Sequence, residues 1–192
     1  MTTTLWRTGL FLAMIGSGLT TAGAADLFWQ GGGNWSDAAW ATASGGPYSQ
    51  PWTGGSHAVF ETTAGAISVD TATSVGDMAY SVSQTIAGNQ SLTLSGTTAT
   101  VHSAVSATIS ASLGGDTLTK AGAGALILSG SNSHTGLTTV SAGVLDVRSG
   151  AALGTTAGGT TVADGASLHL QGGITVTGES LNLIGQGINY VT

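Results

Sequence analysis

The sequence predicts an all-β fold wound as a stack of coils, a β-solenoid, and three observations carry that prediction. The first is composition. Charged residues are only 6% of the 192-residue chain, apolar residues reach 41%, and glycine is abundant at 32 while proline is held to 2. Disordered chains combine charge and proline with low hydrophobicity. This mixture points instead to many short strands joined by tight turns. The second is a recurring unit, found in Thr85–Leu94, Thr139–Val147, Thr161–Leu170 and Thr175–Leu183. It reads Thr, a β-branched residue, a short turn containing glycine, then Leu-x-Leu or Leu-x-Val. The third is the absence of helical period after Ala25, where glycine interrupts every candidate window.

Each part of the unit has a physical reason. The β-branched residue suits extended backbone. Glycine permits the bend. In Leu-x-Leu the two aliphatic side chains point to one face, because side chains alternate along a strand. The residues between them are Thr93, Asp146, His169 and Asn182, all polar, so that face is expected to meet water. The pairs begin at 92, 126, 145, 168 and 181. With Ala107-Thr108-Ile109 as a weaker copy, the step averages about 18 residues, near one solenoid coil. Stacking would set the pairs in register as an aliphatic core, with Thr, Ser and Asn ladders outside. An antiparallel β-sandwich also gives short, evenly spaced strands, but it does not require one unit to recur four times.

In chain order, residues 1–24 read as a secretory signal peptide. Arg7 precedes the apolar run Leu10–Leu19, and Ala22-Gly23-Ala24 offers small residues for cleavage after Ala24. That run is too short to cross about 30 Å of hydrocarbon as an anchor. Residues 25–60 form a tryptophan-rich segment with Trp29, Trp35, Trp40 and Trp52. Bulky residues there are expected to cap the open edge of the first coil. The other reading of Trp29, Trp35, Trp40 and Trp52 is a glycan-stacking platform, which requires at least two of them exposed on one surface. Residues 61–192 are assigned to the solenoid. Nine residues follow Leu183, so the chain is expected to stop inside the repeat region, as a fragment of a longer passenger or a truncated product.

Charge and motifs narrow the chemistry. From Ala25 onward only Lys120 and Arg148 stand against nine acids. Such a chain cannot neutralise many phosphates and lacks a basic cluster for anionic membranes, so no nucleic-acid partner is expected. No membrane span is expected in the mature segment. With no cysteine, an exported chain must find its stability without disulfides. His57, His102, His134 and His169 show no zinc-ligand spacing and read as surface or loop residues. Ser133-His134 lacks a nucleophile elbow. Asp146 and Asp164 occupy different points of the unit, a strand centre and a turn, so paired carboxylates for a polysaccharide lyase or hydrolase are not expected to converge. Gly114-Gly115-Asp116 starts like a calcium-binding nonapeptide, but the next turn, Gly122-Ala-Gly124, brings no aspartate. No catalytic residue, metal or cofactor is therefore expected.

One stretch is specific. Leu118, Lys120, Gly122, Gly124, Leu126, Leu128, Ser129, Gly130, Asn132, Thr135, Gly136, Thr138, Val140, Gly143 and Leu145 stand at the spacing of the passenger-associated transport repeat, also called the autotransporter-associated β-strand repeat, which residues 118–147 closely resemble. Ala125 replaces the usual threonine and His134 the usual aromatic. The resemblance implies a right-handed parallel β-helix exported to the cell surface or outside the cell, ahead of a translocator barrel in the outer membrane beyond this chain. It implies no catalytic residues. The expected function is a non-enzymatic stalk or adhesin whose partners are cell-surface or extracellular glycans or proteins. The alternatives are a carbohydrate-binding module and, further off, a polysaccharide-degrading enzyme. In this reading Lys120 and His134 lack chemical partners, and the stretch is a packing unit.

Overall fold

The structure, a computed structural model, describes residues 24–29, 33–36, 40–45, 51–61 and 64–184. The signal peptide expected at residues 1–24 lies outside the described residues except for Ala24. Among the described residues there are strands and no helix, so none is present that could cross a membrane.

Three sheets form the sides of a solenoid. The first contains β1 (Asp26–Trp29), β3 (Trp40–Ala41), β4 (His57–Phe60), β7 (Met78–Tyr80), β10 (Thr97–Val101), β13 (Leu118–Ala121), β15 (Thr138–Val140), β17 (Thr160–Val162) and β19 (Leu181–Leu183). The second contains β2 (Gly33–Asn34), β5 (Gly65–Val69), β8 (Gln84–Gly88), β11 (Ser106–Ile109), β14 (Ala125–Leu128), β16 (Val144–Val147) and β18 (Ser167–Leu170). The third is shorter, with β6 (Thr73–Val75), β9 (Ser91–Leu94) and β12 (Ser112–Gly115). The chain visits the sheets in rotation and returns to pair in parallel with the coil before. The exception is β3, which lies antiparallel to β1 at the end of the first sheet. Strands β1 and β4 are already members of that sheet, so the tryptophan-rich segment is continuous with the stack.

Register corrects the coil length. The inward column Ala58, Met78, Ala99, Lys120, Val140, Val162 advances by 20 to 22 residues per coil, not 18. Units that lie on different sides of the solenoid stand in different phases, which shortens their apparent spacing. Ala107, Leu126, Leu145 and Leu168 do stack on one another in the second sheet. Leu92, however, lies in the third sheet opposite Leu113, and Leu181 in the first opposite Thr160. Alternation marks a half-buried strand on any side of the solenoid, so Leu-x-Leu identifies the strand without identifying the side.

The core is one continuous cluster running inside the stack. Leu126, Leu128, Val140, Leu145 and Val147 are fully buried in it. At the last coil the apolar pattern continues without cover: Leu170, Leu181, Leu183 and Ile184 are about half exposed or more. Glycine is required where coils approach at a corner. Gly122 has φ +73°, and a Cβ there would stand 2.3 Å from the Val101 carbonyl oxygen of the preceding coil.

Candidate functional site

Four tryptophans collect at the N-terminal end of the stack. The Trp29 and Trp40 ring centroids are 4.9 Å apart, Trp40 and Trp52 4.7 Å, and Trp35 and Trp52 5.0 Å. Phe60 and then Tyr80 continue the aromatic column into the core, stacked at 4.9 Å. Two indole N–H groups donate to backbone carbonyls, Trp40 to Trp35 and Trp52 to Ser74. Trp29, Trp35 and Trp40 are no more than 1% exposed. Their faces are taken by one another, because edge and tilted ring contacts are favourable and burial of each indole is large. Of the four residues named as glycan contacts, Trp52 alone is partly exposed. It borders an open cleft of about 170 Å³ with Trp35, Ser36, Pro51 and Thr73. At the rim, the Asp70 carboxylate accepts from the backbone N–H and hydroxyl of Ser36, which holds its pKa below the usual carboxylate value.

The specific stretch, residues 118–147, carries the polar groups that the sequence reading left without partners. Lys120 points inward in the apolar column between Ala99 and Val140 and is fully buried. Its Nζ donates to the carbonyls of Ala121 (2.8 Å), Gly122 (2.7 Å) and Ala142 (3.1 Å). An ammonium has three N–H donors, and here each meets a carbonyl. Two of these belong to its own turn and one to the next coil. Burial lowers the amine to about 8, so it is charged at neutral pH.

His134 is also buried, contrary to the surface reading. Its backbone N–H donates to Leu113, its Nε2 lies 2.9 Å from Thr138 Oγ1, and its Nδ1 has no partner. Residues 131–135 are not a strand, yet they follow β12 in register, with Ser133 and His134 N–H donating to Leu113 O and Thr135 N–H to Gly115 O. Burial lowers its pKa. Asn132 turns inward at 6% exposure. Its Oδ1 accepts from Leu113 N (2.9 Å) and its Nδ2 donates to Ala152 O (2.6 Å). These two groups lie in the coils on either side.

Asp146 corrects the expectation that it meets water. It is 5% exposed, because the Arg148 guanidinium covers it with Nε and Nη2 at 3.2 and 2.8 Å from Oδ2. That contact raises the Arg148 pKa. Asp164 sits in an exposed turn and Asp146 in strand β16. His57 Nδ1 lies 3.0 Å from Asp26 Oδ1. Among the described residues no three of His, Cys, Asp or Glu are grouped to hold a metal ion. The buried roles of Lys120, Asn132 and His134 had one available signal. All three fall at fixed positions of a repeat most of whose other members are core residues and glycines.

Comparison with known proteins places this geometry. Residues 118–147 match the family model described as the passenger-associated-transport-repeat. Over 191 aligned residues the chain is 34% identical to the "Adhesin BmaC autotransporter" of Brucella suis biovar 1 (strain 1330), covering 88% of this chain and 6% of that protein. The chain thus spans a small part of that curated relative's length. No solved structure matches. With its coils in register and its buried lysine and asparagine at the motif positions, residues 118–147 form a passenger-associated transport repeat.

Proposed function

We propose that the chain is a non-enzymatic passenger segment, exported behind a signal peptide at residues 1–24 and displayed at the cell surface or released outside the cell. Its solenoid, read as right-handed, serves as a stiff stalk or adhesive body for glycans or proteins of the surroundings. A translocator barrel beyond this chain carries it through the outer membrane. The observation that supports this most is the parallel stack itself, with the transport repeat in register at its centre. Such a stack grows coil by coil, each coil offering paired edges to the next, which suits a chain that folds as it emerges. The name of the relative, an adhesin, agrees with this role. The aromatic cluster is read as a cap, a reading supported by its ring contacts and by the antiparallel β3 at the end of the first sheet.

The test is surface proteolysis of cells expressing the full reading frame. Export predicts that added protease removes the segment from intact cells and that the mature chain begins after Ala24. Recovery of the intact chain in the cytoplasm refutes the proposal. A second reading, glycan contact, rests on Trp52 and its cleft. Glycan-array binding lost in Trp52→Ala, with the melting curve retained, would favour it.

A further inference from the structure

In the coil built from β7, β8 and β9 the interior holds polar groups that its packing does not serve. Gln84 opens β8 with its side chain inward, at 2% exposure. Both ends of its amide, Oε1 and Nε2, are buried with no hydrogen-bond partner. Three residues earlier, the hydroxyl of Ser81 is buried with no partner as well. Next to Ser81 in the chain, the buried Tyr80 hydroxyl donates to Met78 Sδ at 3.2 Å, and a thioether is a weak acceptor. Tyr80, Ser81 and Gln84 belong to one corner, where the chain passes from the first sheet to the second.

Two coils further on, the same corner is served from within the chain. There Lys120 Nζ meets three carbonyls. Gln84 meets no such group. The residues stacked on either side of it are Gly65 and Ala107, and the column then continues with Leu126, Leu145 and Leu168. Where the later coils place leucine, this one places an amide between two residues with little or no side chain.

A buried amide with neither end bonded costs free energy that folded proteins rarely leave unrecovered. The group that recovers it must satisfy three conditions. It must be small, because the site is closed to solvent. It must both donate and accept, because the amide presents an N–H and an oxygen. It must be neutral, because residues 80–84 carry no charge to balance an ion. Water satisfies all three, and buried waters typically make about three hydrogen bonds to groups of this kind. We propose that this corner is a binding site for internal water, held by the Gln84 amide and the Ser81 hydroxyl. Water there does for the coil of β7 and β8 what the Lys120 ammonium does two coils later. The site is independent of what the passenger does outside the cell.

The test uses the full chain, with water itself as the probe. Oxygen-17 and deuteron relaxation dispersion count the water molecules that stay inside a protein long enough to tumble with it. The expected result is a higher count in wild type than in Gln84→Leu, which carries the residue of the later coils and needs no partner. Gln84→Met, unbranched and close to glutamine in length, repeats the comparison without the γ-branch. Gln90→Leu, at an exposed position, is expected to leave the count unchanged. Thermal melting verifies that each variant is folded. An equal count in wild type and the Gln84 variants overturns the proposal, as does an equal loss in Gln90→Leu. So does a crystal structure in which the Gln84 amide bonds directly to protein groups or faces an ion.

Discussion

Acidification should loosen the stack at one place, His134. The ring is fully buried, its Nδ1 has no acceptor, and Leu113, Thr138, Gly154 and Thr155, which bond to or stand against His134, are uncharged. Burial makes the folded state bind a proton less readily than the unfolded chain. Below the unfolded value of about 6.5 the unfolded state therefore holds more protons, and stability falls as the pH falls. Between pH 6.5 and 5 a histidine that stays neutral in the folded state forfeits about 2 kcal/mol, from 1.36 kcal/mol per unit of pH. That figure is a ceiling, reached only if the folded ring never protonates in this range. The assay is urea unfolding of wild type and His134→Phe at pH 7.5 and 5.0, with hydrogen exchange of residues 131–138 as a local readout. Phenylalanine loses the Thr138 contact, so it is less stable at pH 7.5, but it has nothing to protonate. Groups common to both chains cancel in the difference. The stability gap between the two chains should narrow, or reverse, on going to pH 5. An unchanged gap would refute the argument that His134 must remain neutral.

Three further outcomes follow from the same coils. Lys120→Ala removes a buried four-carbon stem and the donors to three turn carbonyls, and should cost about 3 kcal/mol in urea unfolding. Asn132→Ala leaves Leu113 N–H and Ala152 C=O without their partner, and should cost about 2–4 kcal/mol, with the largest rise in hydrogen exchange at Leu113. Gly122→Ala and Gly165→Ala form a pair with nearly the same positive φ, +73° and +74°. The first sets a Cβ against Val101 O and the second meets nothing within 4 Å. Gly165→Ala should cost about 1 kcal/mol of backbone strain, and Gly122→Ala clearly more, by melting temperature.

How much of this was legible in the sequence depends on the residue. The strands were, because Leu126-Ile127-Leu128 and Leu145-Asp146-Val147 alternate in the way any half-buried strand must. Their side of the solenoid was not, since all three sides alternate alike, and Leu92 and Leu181 were placed out of phase for that reason. The polar run Ser131-Asn132-Ser133-His134-Thr135 has the composition of a solvated loop. It is folded inward because the third side must still be filled where β12 has no successor strand, and composition carries no trace of that demand. Lys120 is hidden in the same way: an ammonium in an apolar column is satisfied by two carbonyls of its own turn and by a third that only the next coil supplies. Of the candidate site, the tryptophan cluster was visible as a cluster. The mutual burial of Trp29, Trp35 and Trp40 depends on β3 folding back against β1, a long-range pairing with no local signature.

Asn132 has a consequence for how the solenoid bears load. In a simple stack each interface between neighbouring coils is a separate energy term, and the coils can peel away one at a time. Asn132 grips the coil before it with its oxygen and the coil after it with its nitrogen, through a single short side chain. Shifting either neighbour disturbs the amide that holds the other, so the two interfaces fail together. A pull along the axis would therefore release these three coils in one larger step.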